Sequence, residues 1–162
     1  MSLHEFCAAL SKKKKIECCI VLIELATPIW DDFVKNNELH YVDSVVAMEH
    51  EISCDILNRA IQAVKKYYKK PLILRAYYKG NILNSIKEFS EPITAMQDLD
   101  WELPHPVERL FYSVYNLVDF FNDKCKDADD SACISMDQSI EALVSSGIKT
   151  REEIKAILDF YK

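Results

Sequence analysis

One short segment of the sequence carries side chains that could bind a metal ion, the run Glu49-His50-Glu51-Ile52-Ser53-Cys54-Asp55. If the run is helical, His50 and Cys54 lie four residues apart on one face, as two metal ligands can. A metalloprotease helix needs a second His at position 54, because two imidazoles bind the zinc while the Glu between them activates water. Cys54 breaks that motif. We therefore expect a solvated polar face, with a metal-dependent helical enzyme using Glu49, His50 and Cys54 as an alternative.

Other catalytic patterns are interrupted or missing. Di-iron bundles need Glu-x-x-His on facing helices, and Glu102 and His105 have this spacing, but Pro104 lies between them and Pro106 follows. The four histidines and the scattered Ser and Cys residues form no nucleophile elbow and no recognisable triad order. The sequence predicts a protein that is not an enzyme, with no catalytic residue, no metal and no cofactor.

The elements that must position any site are predicted to be helices. The 162 residues include 2 glycines, where average usage would give roughly eleven, so tight hairpins and phosphate-binding loops have few positions to occupy. Apolar residues make up 49% of the chain, which is enough for a core and argues against disorder. We expect one all-α domain over 1–162, an irregular bundle or short array of seven or eight helices.

Local signals place the ends of several helices. Ser2 with Glu5 and Thr150 with Glu153 have capping-box spacing, and Gly147 suits a left-handed helix end. Pro28 is expected to end or kink the helix that follows the lysine run at 12–15. The segment Pro104-His105-Pro106 precedes the clearest amphipathic pattern, from Val107 to Phe121.

The middle of the chain is predicted to be helical throughout. Apolar residues from Val42 to Tyr68 follow a helical period, either as one helix to Lys70 or as two helices divided at Ser53. The run 72–78 has no clear period, and we assign it to a helix because no second strand is available to pair with it. Gly80-Asn81 can interrupt that helix, Pro92 is expected to open an acidic segment to Glu102, and Asp127 to Asp130 is expected to be a loop.

The first residues, the longest apolar stretch and the cysteines together predict the cellular compartment. The first residues lack the basic and apolar regions of a secretory signal, and the longest apolar stretch, Cys18 to Trp30, is shorter than the ~20 residues of a membrane span. The six cysteines contain no C-x-x-C pair and several occupy apolar helical positions, so we expect free thiols in a cytoplasmic protein.

Charge is segregated along the chain. The stretch Arg59 to Lys79 contains seven basic residues and no acid, interleaved with tyrosines. Such a mixture can hold phosphates and stack bases, which makes a helical nucleic-acid-binding module an alternative function. The overall net charge of -6 and the preference for lysine at helix ends argue against it.

The stretch Glu88 to Glu108 has the opposite charge, with six acids and no Lys or Arg. Carboxylates around an aromatic anchor suit docking onto a cationic partner, because charge steers association while the buried ring supplies affinity. Trp101 can instead pack into the core. The partner-binding residues predicted here are Glu88, Glu91, Asp98, Asp100, Trp101 and Glu102.

Three segments carry a resemblance to known proteins in their pattern of apolar and polar residues. They are VDSVVAMEHEISCDILNRAIQAVKKYY at 42–68, PHPVERLFYSVYNLVDFF at 104–121 and SMDQSIEALVSSG at 135–147. With them the chain resembles the small all-α immunity proteins of bacterial polymorphic-toxin and contact-dependent growth inhibition systems. The resemblance implies a cytosolic, non-enzymatic inhibitor that binds a cognate toxin domain, often a nuclease, and blocks its active site. It transfers no individual residue, because such proteins recognise different toxins through different surfaces.

Overall fold

The computed structural model describes residues 2–121 and 128–161, and these form seven helices and one short hairpin. The all-α prediction is confirmed. Within the described residues no helix is both long and apolar enough to cross a membrane. The elements are α1 (Leu3–Ala9), α2 (Lys12–Asn36), β1 (His40–Val42), β2 (Glu49–Glu51), α3 (Ile56–Lys69), α4 (Leu72–Gln97), α5 (His105–Asp119), α6 (Ala128–Ser145) and α7 (Arg151–Asp159).

The predicted helix ends are largely confirmed. The hydroxyl of Ser2 accepts the N–H of Glu5 at 3.2 Å while the Glu5 carboxylate accepts the N–H of Ser2 at 2.7 Å, and Thr150 with Glu153 repeats this box at α7. Gly147 has φ +76 at the end of α6, a conformation that costs glycine little because it has no Cβ. Side chains that satisfy free backbone groups thus define the ends of the shorter helices.

The two longest helices pass through residues expected to break them. Pro28 does not end α2, which continues to Asn36, and neither Gly80 nor Pro92 interrupts α4. Beyond these positions both helices still bury large side chains: Trp30 follows Pro28, Phe89 follows Gly80, and Ile93 and Met96 follow Pro92. Because that burial is worth about 1.5–3 kcal/mol per side chain, packing outweighs one missing backbone hydrogen bond. The run at 72–78 is helical as predicted.

The prediction for the first half of the segment 42–68 was wrong. Residues 40–51 form an antiparallel hairpin in which Tyr41 faces His50, and α3 begins only at Ile56, so the continuous helix to Lys70 does not exist. The helical spacing of valines is misleading because Val42, Val45 and Val46 are exposed rather than packed on a core. Of the acidic loop expected at 127–130, Asp127 lies outside the described residues and the rest belongs to α6.

Aromatic rings and one serine cluster define the core. Phe111 of α5 is fully buried, with ring centroids 4.8 Å from Phe89 and 6.0 Å from Trp30. Helices α5 and α6 form the most extensive helix pair, and α2 packs against both. Between α5 and α6, Ser113 and Ser135 are fully buried, and each hydroxyl donates to the other residue's carbonyl, at 2.8 and 2.9 Å. Small hydroxyl side chains with mutual partners therefore let these two helices approach closely.

Candidate functional site

The hairpin is fixed to the helices by stacked rings. Tyr41 is 5% exposed, and its ring stacks on His50 across the hairpin, with centroids 5.0 Å apart. On the side of the helices it stacks on Trp101 at 6.1 Å, and Trp101 in turn meets Phe111 edge-on at 5.5 Å. A continuous column of rings thus runs from the hairpin into the core, which matters because strands of three residues are not stable alone.

Two hydrogen bonds add to this attachment, and a third closes the base of the hairpin. The indole Nε1–H of Trp30 donates to the Cys54 carbonyl at 2.7 Å, which holds the segment between β2 and α3 against α2. The backbone N–H of Ser44 donates to the Asp100 carboxylate at 3.0 Å, and the N–H of Ile52 donates to the carbonyl of Leu39 at 2.7 Å. Both the base and the loop of the hairpin are therefore held in place by other parts of the chain.

The hairpin loop has a defined conformation of its own. One carboxylate oxygen of Asp43 accepts the backbone N–H groups of Val45 at 2.8 Å and Val46 at 2.9 Å. These bonds favour the ionised carboxylate and lower the pKa of Asp43. Ala47 has φ +52, an uncommon value for a residue with a Cβ, and the Asp43 N–H donates to the Met48 carbonyl at 2.9 Å. The loop is thus built to hold one shape.

This ordered loop presents apolar side chains to solvent. We call Val42, Val45, Val46 and Met48 the apolar tip; their exposed fractions are 52%, 86%, 62% and 54%. Leu99 lies in the turn that also supplies Asp100, and it is 74% exposed with φ +65. Single exposed apolar residues are ordinary, but a contiguous group held in a fixed loop is typical of an interaction surface.

The predicted site residues divide into three groups. Glu88 is paired with Arg59 at 2.7 Å, and Arg59 also binds Asp55 at 2.9 Å, so the charge of Glu88 is partly neutralised within the protein. Trp101 is 6% exposed, which confirms the alternative of a core position. The remaining four carboxylates belong to one end of the bundle: Glu91 lies 3.8 Å from the His50 ring, Asp100 binds Ser44 as above, and Asp98 and Glu102 are exposed.

The structure adds a second acidic segment to this end. Residues 38–55 contain five acids and no Lys or Arg, and the hairpin places them beside the stretch 88–108. Burial raises the pKa of Tyr41, and the negative charges of Glu91, Asp43 and Asp100 raise it further, so carboxylates from both segments act on one ring. We call this region, together with the apolar tip, the acidic end.

The arrangement proposed for a metal does not form. His50 lies in β2 and Cys54 lies in the segment before α3, so the shared helical face assumed for them is wrong. Among residues 2–121 and 128–161, no group of three or more His, Cys, Asp or Glu side chains is placed to hold a metal ion. His50 instead stacks on Tyr41, while Cys54 is an exposed free thiol.

The apolar tip is the part of this site that the helical interpretation missed. Its signal in the sequence was the pair of β-branched valines after Asp43 and Ser44, residues that favour turns. Comparisons of the chain with protein-family models, with curated proteins and with solved structures found no match. The geometry and charge of the acidic end are therefore the observations that bear on function.

Proposed function

We propose that this protein is a binding protein that docks its acidic end onto a positively charged surface of another protein, as an immunity-type inhibitor does when it covers the active site of a cognate toxin. The observation that carries the proposal is an exposed apolar tip held rigidly among carboxylates. Apolar groups at the centre of an interface supply affinity, and surrounding charges steer association and choose the partner.

The rigidity of the tip supports a recognition role. A loop that must be ordered on binding loses free energy for each immobilised side chain. Here Asp43 already caps the loop, and the contact from Ser44 to Asp100 already fixes its position. The tip is preorganised, so more of the contact energy is available for binding.

The net charge of the surface defines the chemistry of the partner. Glu91, Asp98 and Glu102 are exposed. The neighbouring stretches 38–55 and 88–108 contain no Lys or Arg. A cationic surface is attracted to this end from beyond contact distance, whereas an anionic one is repelled. A partner with a basic cleft around an apolar depression therefore fits this surface.

An immunity-type function predicts a toxin gene beside this one, encoding a large secreted protein with a variable C-terminal domain, and the direct test uses that domain. Wild-type protein should co-purify with that domain and neutralise it. The triple variant Glu91→Lys, Asp98→Lys and Glu102→Lys should associate at least roughly tenfold more slowly at low salt and lose most of its salt dependence. Rates can be measured by surface plasmon resonance.

A second variant separates apolar contacts from charge. Replacing Val45 and Met48 with Ser should mainly speed dissociation, while thermal stability stays within about 0.5 kcal/mol because both side chains are exposed. Lys66→Glu, exposed on α3, is the matched control and should leave binding intact. Wild-type binding kinetics in both the triple Lys variant and the Val45/Met48 variant would show that another surface binds the toxin domain. Failure of the wild-type protein to bind or neutralise the toxin domain would overturn the immunity function.

A further inference from the structure

We propose that the opposite end of the bundle carries a second binding site, a cleft for a phosphate ester that bears a flat aromatic base. The cleft encloses about 500 Å³, within the range of small-ligand sites. It lies where the first turn of α2 meets the end of α3 and the start of α4. Its lining includes three cations, Lys12, Lys13 and Arg75, and three rings, Tyr67, Tyr68 and Phe121.

The fold creates this cleft from segments that are distant in the sequence. The lysine run at 12–15 is separated from the basic stretch 59–79 by more than forty residues. Helix α3 leads away from the acidic end, and its 14 residues extend about 21 Å. Its last turns therefore meet the start of α2 at the other end of the bundle, where positive charge is concentrated.

The cations of the cleft are held beside aromatic faces. The Arg75 guanidinium lies 5.8 Å from the Tyr67 ring centroid, and its Nε–H donates to the Lys70 carbonyl at 3.2 Å. The ammonium of Lys12 lies 5.0 Å from the Phe120 ring centroid. These contacts restrict the side chains before any ligand arrives, and Arg presents donors that match a phosphate.

One carboxylate partly offsets this charge. Glu17 lies 3.9 Å from the Lys13 ammonium and accepts the hydroxyl of Tyr68 at 3.2 Å. Among the described residues it balances one of the three cations of the lining, so this part of the cleft remains positive. The same residue therefore limits the affinity of the cleft for bare anions.

The rings distinguish this site from an ordinary basic patch. Tyr67 meets Phe121 edge-on at 5.0 Å, and both Tyr67 and Tyr68 are half-buried, so their positions are set by packing. A base that stacks on such a ring gains a favourable contact in addition to the charge contacts of its phosphate, whereas a polyanion without bases gains only the charge contacts. Cations combined with fixed rings are the arrangement that binds nucleotides and single strands.

The surroundings suggest how a longer ligand continues. Lys69 is exposed on the last turn of α3, and the Lys70 ammonium lies 5.4 Å from the Tyr78 ring. A phosphate chain leaving the cleft thus meets further cations and another ring. The shared ligand chemistry is a base-bearing phosphate, whose source is either a free nucleotide or a single-stranded nucleic acid.

The test measures fluorescence anisotropy of a labelled oligothymidylate and of a fluorescent adenosine nucleotide, with base-free polyphosphate as a third ligand, all at low salt. Wild-type protein should bind at least one base-bearing probe and prefer it to polyphosphate. The double variant Lys12→Gln and Arg75→Gln should weaken that binding roughly tenfold or more and lower its salt dependence. Lys87→Gln, some 12 residues further along α4 and about 18 Å away, should change nothing.

The variants of Tyr68 examine stacking. Tyr68→Phe keeps the ring and should retain binding, while Tyr68→Leu removes it and should weaken binding roughly fivefold or more; circular dichroism checks that both fold. Tighter binding of the strand than of the nucleotide identifies a single strand as the source, and the reverse identifies the nucleotide. Absence of binding by both probes, equal binding of polyphosphate, or an unaffected Tyr68→Leu variant would overturn the proposal. None of these outcomes bears on the acidic end.

Discussion

Replacing Trp101 with Ala should destabilise the protein severely, because the ring connects the hairpin to the core. The side chain is 6% exposed and contacts Tyr41 and Phe111. A Trp side chain buries about 150–250 Å², which at about 25 cal/mol per Å² corresponds to about 4–6 kcal/mol. That figure is an upper estimate, since the unfolded chain already hides part of its apolar area. We expect a loss of about 4 kcal/mol, within the range for large-to-small core changes.

The loss can be measured by urea denaturation followed by far-UV circular dichroism. For a chain of this size a loss of about 4 kcal/mol also lowers the melting temperature by roughly 8–16 °C. Leu99→Ala is the matched control, two residues away and 74% exposed, and should change stability by no more than about 0.5 kcal/mol. A Trp101→Ala variant as stable as this control would refute the ring column and restore Trp101 as an exposed anchor.

Further predictions concern other parts of the fold. Ser113→Ala should cost about 1–3 kcal/mol in urea denaturation, because buried partners between α5 and α6 lose a hydrogen bond; a loss below about 0.5 kcal/mol would contradict it. Gly147→Ala should cost about 1 kcal/mol, since the site has φ +76 but open space for a Cβ; unchanged stability would show that the strain is absent. Hydrogen bonds to Thr150 lower the pKa of Glu153, so the carboxylate stabilises the fold at neutral pH and this stabilisation is lost as the pH falls below about 4. A Glu153→Gln variant should therefore lose less stability on acidification than the wild type, and equal acid-unfolding curves for the two proteins would contradict this. Burial raises the pKa of Cys18 to about 12, so iodoacetamide at pH 8 should alkylate exposed Cys54 before Cys18, as mass mapping can check.

The sequence predicts the helical parts of the fold well because their signals are local. The capping boxes and the left-handed Gly147 depend on residues within one turn of each other, and all three are present. Helix α2 does not end at Pro28 and α4 is not interrupted at Pro92, because packing from distant helices decides whether a proline is tolerated. Local propensity does not contain that information.

The candidate site was only half predictable for a related reason. The acidic stretch 88–108 is visible as composition, but its neighbour in space, the hairpin, shares a helix-like spacing of valines. Whether those valines face a core or solvent depends on Tyr41 meeting Trp101, a contact across sixty residues. The pairing of Glu88 with Arg59 is equally absent from any local sequence pattern, although it partly neutralises the charge of one predicted residue.

The construction of the hairpin separates recognition from stability. Its inward residue Tyr41 and the cap Asp43 hold the loop, whereas the side chains of the apolar tip are exposed to solvent. Under the proposed function, substitutions at Val45 or Val46 change which partner is recognised without loosening the core. A binding protein built in this way changes its specificity through a few codons, while the helices that carry the loop stay as they are.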